Sequence, residues 1–184
     1  LPTNFDLRQL ELSEMRVVSQ LISTMSNSWY VIPSVPITID NQDREIDVVL
    51  VSFQHGVHVI EVKGGIITVD EGQWKTNNKS LKDPSIQITS ALHNLIKRLK
   101  LMKVDTDSFR VHKLLIFPDI VDFPAEGAGP GCPREMVVTG DEIKHLEQKI
   151  EHYLSTEPEQ VLSLDDIRSE EHTSELQSRV DISY

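Results

Sequence analysis

Apolar residues change their period several times along this chain, and each change marks an element. Leu7, Leu10, Val17, Val18, Leu21, Ile22 and Met25 recur at intervals of three and four, the spacing of an amphipathic helix. Residues 29–36 are β-branched and aromatic, bounded by Asn27-Ser28 and interrupted by prolines, which predicts a strand. Residues 45–53 (EIDVVLVSF) form a near-continuous apolar run. Gln54-His55-Gly56 makes a turn, and residues 57–63 (VHVIEVK) return as a second strand, so the pair is a hairpin. Gly64-Gly65 comes next, then a short run at 66–69, a turn at Asp70-Glu71-Gly72, and Trp74. Asp83-Pro84 opens a second helix, because Asp caps free amides and Pro suits the first helical position. Ile88, Ala91, Leu92, Leu95, Ile96, Leu99 and Met102 supply its apolar stripe.

A strand at 111–117 (VHKLLIF), an irregular loop at 125–133, a short strand at 135–138 and a final helix opened by Thr139-Gly140-Asp141 complete the series. That last helix carries Ile143, Leu146, Ile150 and Tyr153. The order α-β-β-β-α-β-(β)-α predicts the α/β class, a mixed central β-sheet flanked by helices.

Three acids break the pattern of their own elements. Asp47 lies between Ile46 and Val48, Glu61 between Ile60 and Val62, and Glu14 falls on the helical stripe between Leu10 and Val17. Burying an unpaired carboxylate costs several kcal/mol, so such groups are paired, hydrogen-bonded or bound to a cation. Alternate residues of a strand share a face, which places Glu61 and Lys63 together and Val62 on the opposite layer. The hairpin turn between Asp47 and Glu61 lets the two strands lie side by side with both carboxylates close. Mg²⁺ or Mn²⁺ prefers oxygen ligands, and Mg²⁺ keeps several waters, so two carboxylates, a backbone carbonyl and water satisfy it. Lys63 can hold or polarise an attacking water and offset charge on phosphorus.

Asp47, a thirteen-residue gap and Glu61-Val62-Lys63 resemble the D…(D/E)xK core of the restriction-endonuclease-like superfamily. More narrowly, REIDVVLVSFQHGVHVIEVKGG, then GQW, then DPSIQ at a helix start resemble the nuclease-related domain (NERD) family, over residues 11–117. The resemblance implies an αβββαβ core, divalent-metal dependence and DNA as substrate. Carried across, Asp47 and Glu61 would ligate metal through side chains and Val62 through its carbonyl. Lys63 would be the catalytic base or a water-orienting cation. Glu14 would complete the site, and Gln87 would lie near it as the helix glutamine. Family members often carry further domains.

Each residue also has a plainer reading. Asp47 and Lys63 would make a structural ion pair across strands. Glu14 would reach water from a boundary position, and Gln87 would satisfy a backbone group. Gly64-Gly65 would be a bend. Lys97, Arg98, Lys100 and Lys103, with Lys75, Lys79 and Lys82 before them, read either as a DNA-backbone track or as a solvated helix face. The histidines show no ligand spacing, Trp74 reads as core, and Cys132 has no assigned role. Two rivals to a DNA-hydrolysing nuclease therefore stand: a non-catalytic DNA-binding or regulatory module of the same fold, and a structural scaffold.

The 184 residues carry 18 Lys and Arg against 29 Asp and Glu, a net charge of −11. This excludes coating nucleic acid by bulk attraction but leaves room for a metal-assisted site. One cysteine excludes an internal disulfide framework and a Cys-based zinc site. The expected compartment is a reducing cytoplasm, with no membrane span. Residues 1–155 are expected to form the domain and 156–168 a linker towards a further part. Residues 169–184 (SEEHTSELQSRVDISY) resemble a translated sequencing adapter. Four acids and one base belong to that stretch, so the remainder carries −8. The chain opens on Leu1, and more sequence is expected before it and after Arg168.

Overall fold

The computed structural model describes residues 5–39, 42–70 and 72–156. The first stripe is split. A short 3₁₀ turn at Leu7–Gln9 is capped by Asp6, whose carboxylate accepts from the Arg8 amide at 3.0 Å. The chain then extends through Leu10 and Glu11, and helix α1 occupies Leu12–Thr24. Leu7 and Leu10 still pack on the core beside Val17, Val18 and Leu21, whereas Ile22 of the same stripe is exposed, so the spacing read most of the buried face but not the break. The physical reason is local: the Asp6 side chain offers the backbone a turn in place of a helix.

Strands β1 (Tyr30–Ile39), β2 (Gln42–Ser52) and β3 (Gly56–Val62) form an antiparallel meander. Strand β3 is followed by a small separate sheet, β4 (Ile67–Asp70), β5 (Gln73–Thr76) and β6 (Lys79–Ser80). Helix α2 (Pro84–Leu101) then crosses over to β7 (Val111–Phe117), which lies parallel to β3, and β8 (Val137–Thr139) lies parallel to β7. Helix α3 closes the series at Leu146–Thr156. Ser155 and Thr156, expected to lie at the domain's end and the linker's start, form its last turn, and the later linker and adapter-like stretch lie outside the described residues.

The main sheet has the order β1-β2-β3-β7-β8, a mixed five-stranded sheet with three helices. This is the αβββαβ core expected from the sequence. The additional β4–β6 sheet was visible in the chain only as a short run, a turn and Trp74. One face of the main sheet packs Val48, Leu50, Ile60, Val62, Leu114 and Ile116 against α1 and the α3 region. The other packs Val49, Val59, Leu115 and Phe117 against Ile88, Leu92 and Ile96 of α2. Alternation along β3 therefore sends Val62 to the α1 layer and leaves Glu61 on the α2 side, as its period predicts.

Asp83 caps α2, accepting from the Ser85 amide at 2.8 Å, with Pro84 in the first turn. The capping residue and its proline thus set where α2 begins, at the C-terminal edge of β3. Trp74 is a core residue: it lies 6.0 Å from the Phe117 ring and 6.2 Å from Phe123, joining the small sheet to the large one. Asn77 and Asn78 both take positive φ, 50° and 64°. That is the requirement of the tight turn that matches strand twist. Among the described residues no helix is long and apolar enough to cross a membrane.

Phe117 is fully buried and touches both Trp74 and Phe123. Phe117→Ala should lower unfolding stability by about 3–5 kcal/mol, read as a lower urea midpoint with unchanged m-value. A loss below about 1 kcal/mol would show that the two sheets are not joined through this ring.

Candidate functional site

The site forms where β2 and β3 part. Their register runs from Ser52↔Gly56 to Val48↔Ile60, and one step further Asp47 and Glu61 are no longer paired. On the other side of β2, the register with β1 skips Asp47 as well, opposite Ser34, whose φ of 51° is left-handed. Face alternation along β2 slips here: Ile46 joins the α2 core, while Val48 and Leu50 join the other. Asp47 sits at that slip. Its carboxylate accepts the Val62 amide at 2.7 Å, while the next amide, Lys63, donates to Ile116 of β7 at 3.0 Å. A side chain has thus replaced a ladder carbonyl at the end of β3. Because a strand residue's N–H and C=O point to the same side, the Val62 carbonyl also faces Asp47's side.

Electrostatics follow from this placement. Glu61 is 7% exposed and Asp47 half-buried. Burial, then the Glu61 charge, push the Asp47 carboxyl up to about 7, against the Val62 amide and Lys63, which favour its ionised form. The Lys63 ammonium lies 2.5 Å from Glu61 Oε1. Burial pulls its pKa down, but the Glu61 hydrogen bond and the charges of Glu61, Asp47 and Glu14 outweigh that, and it ends above the usual lysine value. The ion pair is therefore within one strand, Glu61 to Lys63, and not across strands from Asp47 to Lys63.

Glu14 lies on α1, half-buried, and its carboxyl is raised chiefly by burial, with the charges of Glu11 and Glu45 adding to it. It is near enough for Asp47 and Lys63 to feel its charge. Among the described residues, no three His, Cys, Asp or Glu side chains group tightly enough to cage a metal alone. A cation at this place would have two carboxylates, Asp47 and Glu61, with the rest from the Val62 carbonyl, water and an approach by Glu14. That donor set is all oxygen and suits a hard divalent ion that keeps its waters. The like-charged pair, with one member forced towards neutrality, is a place where a cation relieves the cost of burial.

Gln87 stands in the first turn of α2, on the layer that Glu61 faces. Among the described residues its Oε1 is buried with no hydrogen-bond partner, an acceptor that a bound water or ion would satisfy. Asp119, two residues past β7, carries no signal in the sequence. Its carboxylate accepts the Gly65 amide at 2.7 Å and pairs with Arg16 of α1 at 2.6 Å. Parallel neighbours β3 and β7 end on the same edge, so the segments leaving the two strands meet there. Two cavities, about 360 Å³ beside Arg16, Asp119 and Asp141 and about 560 Å³ among Ile32, Val51, Leu95 and Phe109, are lined by none of the predicted site residues.

The model of the nuclease-related domain (NERD) matches residues 10–118. The chain belongs to the nuclease-related domain family. This NERD match runs from just before α1 to just past β7, so it holds Glu14, Asp47, Glu61, Val62, Lys63 and Gln87 together. The NERD family falls within the restriction-endonuclease-like fold superfamily, in agreement with the observed sheet. No curated protein matches the chain.

The two lysine groups separate in this NERD fold. Helix α2 starts at the site and runs away from it, so Lys97 to Lys100 lie about 15–20 Å further along its axis than Gln87. Arg98 and Lys100 occupy the last helical turn, where cations offset the helix dipole. Lys79, on β6, stays at the site end, beside the turn that meets Gly64-Gly65.

Metal-free Asp47 holds its proton more tightly folded than unfolded. Its contribution to stability is full below its ordinary 3.8 and is lost as pH rises through about 7. Asp47→Asn keeps an acceptor for the Val62 amide and cannot ionise. With chelator present, its stability advantage over wild type should widen by about 2 kcal/mol between pH 5 and pH 8 in urea titrations. A pH-independent difference would contradict the burial of this carboxylate.

Proposed function

We propose that this chain is a metal-dependent nuclease domain that hydrolyses DNA phosphodiester bonds, with Mg²⁺ or Mn²⁺ as cofactor. The observation that carries the reading is the meeting of Asp47 and Glu61 at the seam between β2 and β3, with the Lys63 ammonium paired to Glu61. A scaffold has no use for two like carboxylates held together at the cost of raising one to about 7. Family membership supports the nuclease-related assignment. The orphaned Gln87 oxygen supports a polar occupant.

Asp47 and Glu61 would hold the ion through their side chains and Val62 through its carbonyl, with Glu14 completing the set. The bound ion would supply charge stabilisation and lower the pKa of water. The reaction is in-line attack of water on phosphorus: the new P–O bond forms as the P–O bond to the departing ester oxygen breaks, the water's proton passing to solvent and that oxygen taking one up. Lys63 is paired with Glu61, which favours its charged, donating form. Of the two roles open to it, orienting the water and offsetting charge on the phosphoryl oxygens is the one its environment supports. Gln87 Oε1, without a hydrogen-bond partner among the described residues, would accept a hydrogen bond from that water.

Purified protein should cut linear or circular DNA with Mg²⁺ or Mn²⁺ and fail to do so with chelator. Lys63→Ala should reduce cleavage by about 10²–10³-fold while keeping the metal-induced rise in Tm. That rise corresponds to about 2.7 kcal/mol at a hundredfold excess over Kd. Asp47→Ala should lose both. Wild-type cleavage by Lys63→Ala would remove Lys63 from the chemistry. DNA binding with neither cleavage nor a metal-induced Tm shift would favour the non-catalytic module.

A further inference from the structure

The Gly64-Gly65 link after Lys63 is gripped from two sides. On one, the first turn of α1 comes so close that a Cβ on Gly64 would meet Ser13 Cβ at 2.9 Å, and Asp119 ties the Gly65 amide to Arg16. On the other lies the turn between β5 and β6. Thr76 Oγ1 donates to the Gly64 carbonyl at 3.0 Å, and the Asn77 side chain accepts the Ile66 amide at 3.0 Å. The Asn77 amide returns a bond to the Ile66 carbonyl at 3.0 Å. A Cβ on Gly65, whose φ is +88°, would lie 2.6 Å from Thr76 Oγ1 and 2.7 Å from Asn77 Nδ2. The hairpin tip is therefore fixed to the segment that begins one residue after Lys63.

Each wall carries one exposed cation. Lys79 pairs in register with Thr76, the residue bonded to Gly64, and it makes no ion pair among the described residues. Arg16, 54% exposed, uses Nη1 on Asp119 and keeps other donors for solvent. The site that ends one residue before this link gathers Asp47, Glu61 and Glu14 in a chain of net charge −11. A polyanion passing over such a place needs local cations at the phosphates on either side of the reacting one.

We propose that Lys79 and Arg16 are the phosphate-holding residues on the two sides of the glycine link, so that the strand to be cut lies across Gly64-Gly65 between α1 and the β5–β6 hairpin. This deepens the nuclease reading and rests on it for the position of the reacting phosphate. Contact is with the backbone, so it is independent of base sequence.

The test is binding of a fluorescein-labelled 20-base-pair duplex, monitored by anisotropy from 50 to 200 mM KCl in chelator, where cleavage plays no part. Lys79→Ala and Arg16→Gln should each reduce the slope of log K on log salt by about 0.9. They should weaken binding uniformly across sequences. Arg16→Lys should keep the slope, which separates phosphate contact from support of Asp119. Lys144→Ala, an exposed lysine of the α3 side, should bind as wild type. All four variants should retain the metal-induced rise in Tm. Unchanged slopes for Lys79→Ala and Arg16→Gln overturn the proposal even if the protein cuts DNA. Reduced slopes in a protein that shows no metal-dependent cleavage leave the track standing and remove the nuclease reading.

Discussion

Two carboxylates meet where a β-ladder stops. Asp47 takes the Val62 amide with its side chain, and with that exchange the β2–β3 register ends and Glu61 comes to lie beside it. The arrangement is unfavourable by itself: burial and like charge raise Asp47 to about 7. Lys63 offsets part of the cost by pairing with Glu61. The remaining electrostatic strain is of a kind that positive charge placed here would relieve.

Topology then decides what surrounds the pair. Because β3 and β7 are parallel, their connection must be a crossover, and α2 supplies it. The crossover sets the first turn of α2, with Gln87, over the α2-facing layer near the end of β3. It also brings Asp119, just past β7, to Gly65, just past Lys63. Ligands of open α/β sheets gather at the C-terminal ends of strands for the same geometric reason. The small β4–β6 sheet begins directly after this edge, and its aromatic anchor Trp74 fixes it to Phe117 and Phe123. The geometry of this edge thus depends on a core that extends through both sheets.

An acidic protein can still act on a polyanion if its cations are few and well placed. The distribution of bases matters more here than their number. The lysine-rich second half of α2 stabilises its own helix end, whereas Lys79 and Arg16 stand at the two sides of the glycine link. Neighbouring positions in the chain did not reveal this division, because a helix carries residues away from its start by about 1.5 Å each.

What the amino-acid sequence alone determined is what local periodicity and local chemistry encode. The apolar runs marked every strand of the main sheet, Asp83-Pro84 marked the start of α2, and acids within apolar runs marked Asp47 and Glu61 as carboxylates in a buried setting. Period two correctly placed Glu61 away from Val62, because side-chain alternation needs no knowledge of neighbours. Contacts distant in the chain were decided only by the tertiary structure. The Ser34 kink opposite Asp47, the proximity that raises Asp47 beside Glu61, and the meeting of Asp119 with Gly65 all depend on which strands lie side by side. The choice of Glu61 over Asp47 as partner of Lys63 depends on the same placement. A one-dimensional pattern records burial. It does not record which of two buried groups will share a proton, a cation or an amide, because that is set by distances the chain acquires only on folding.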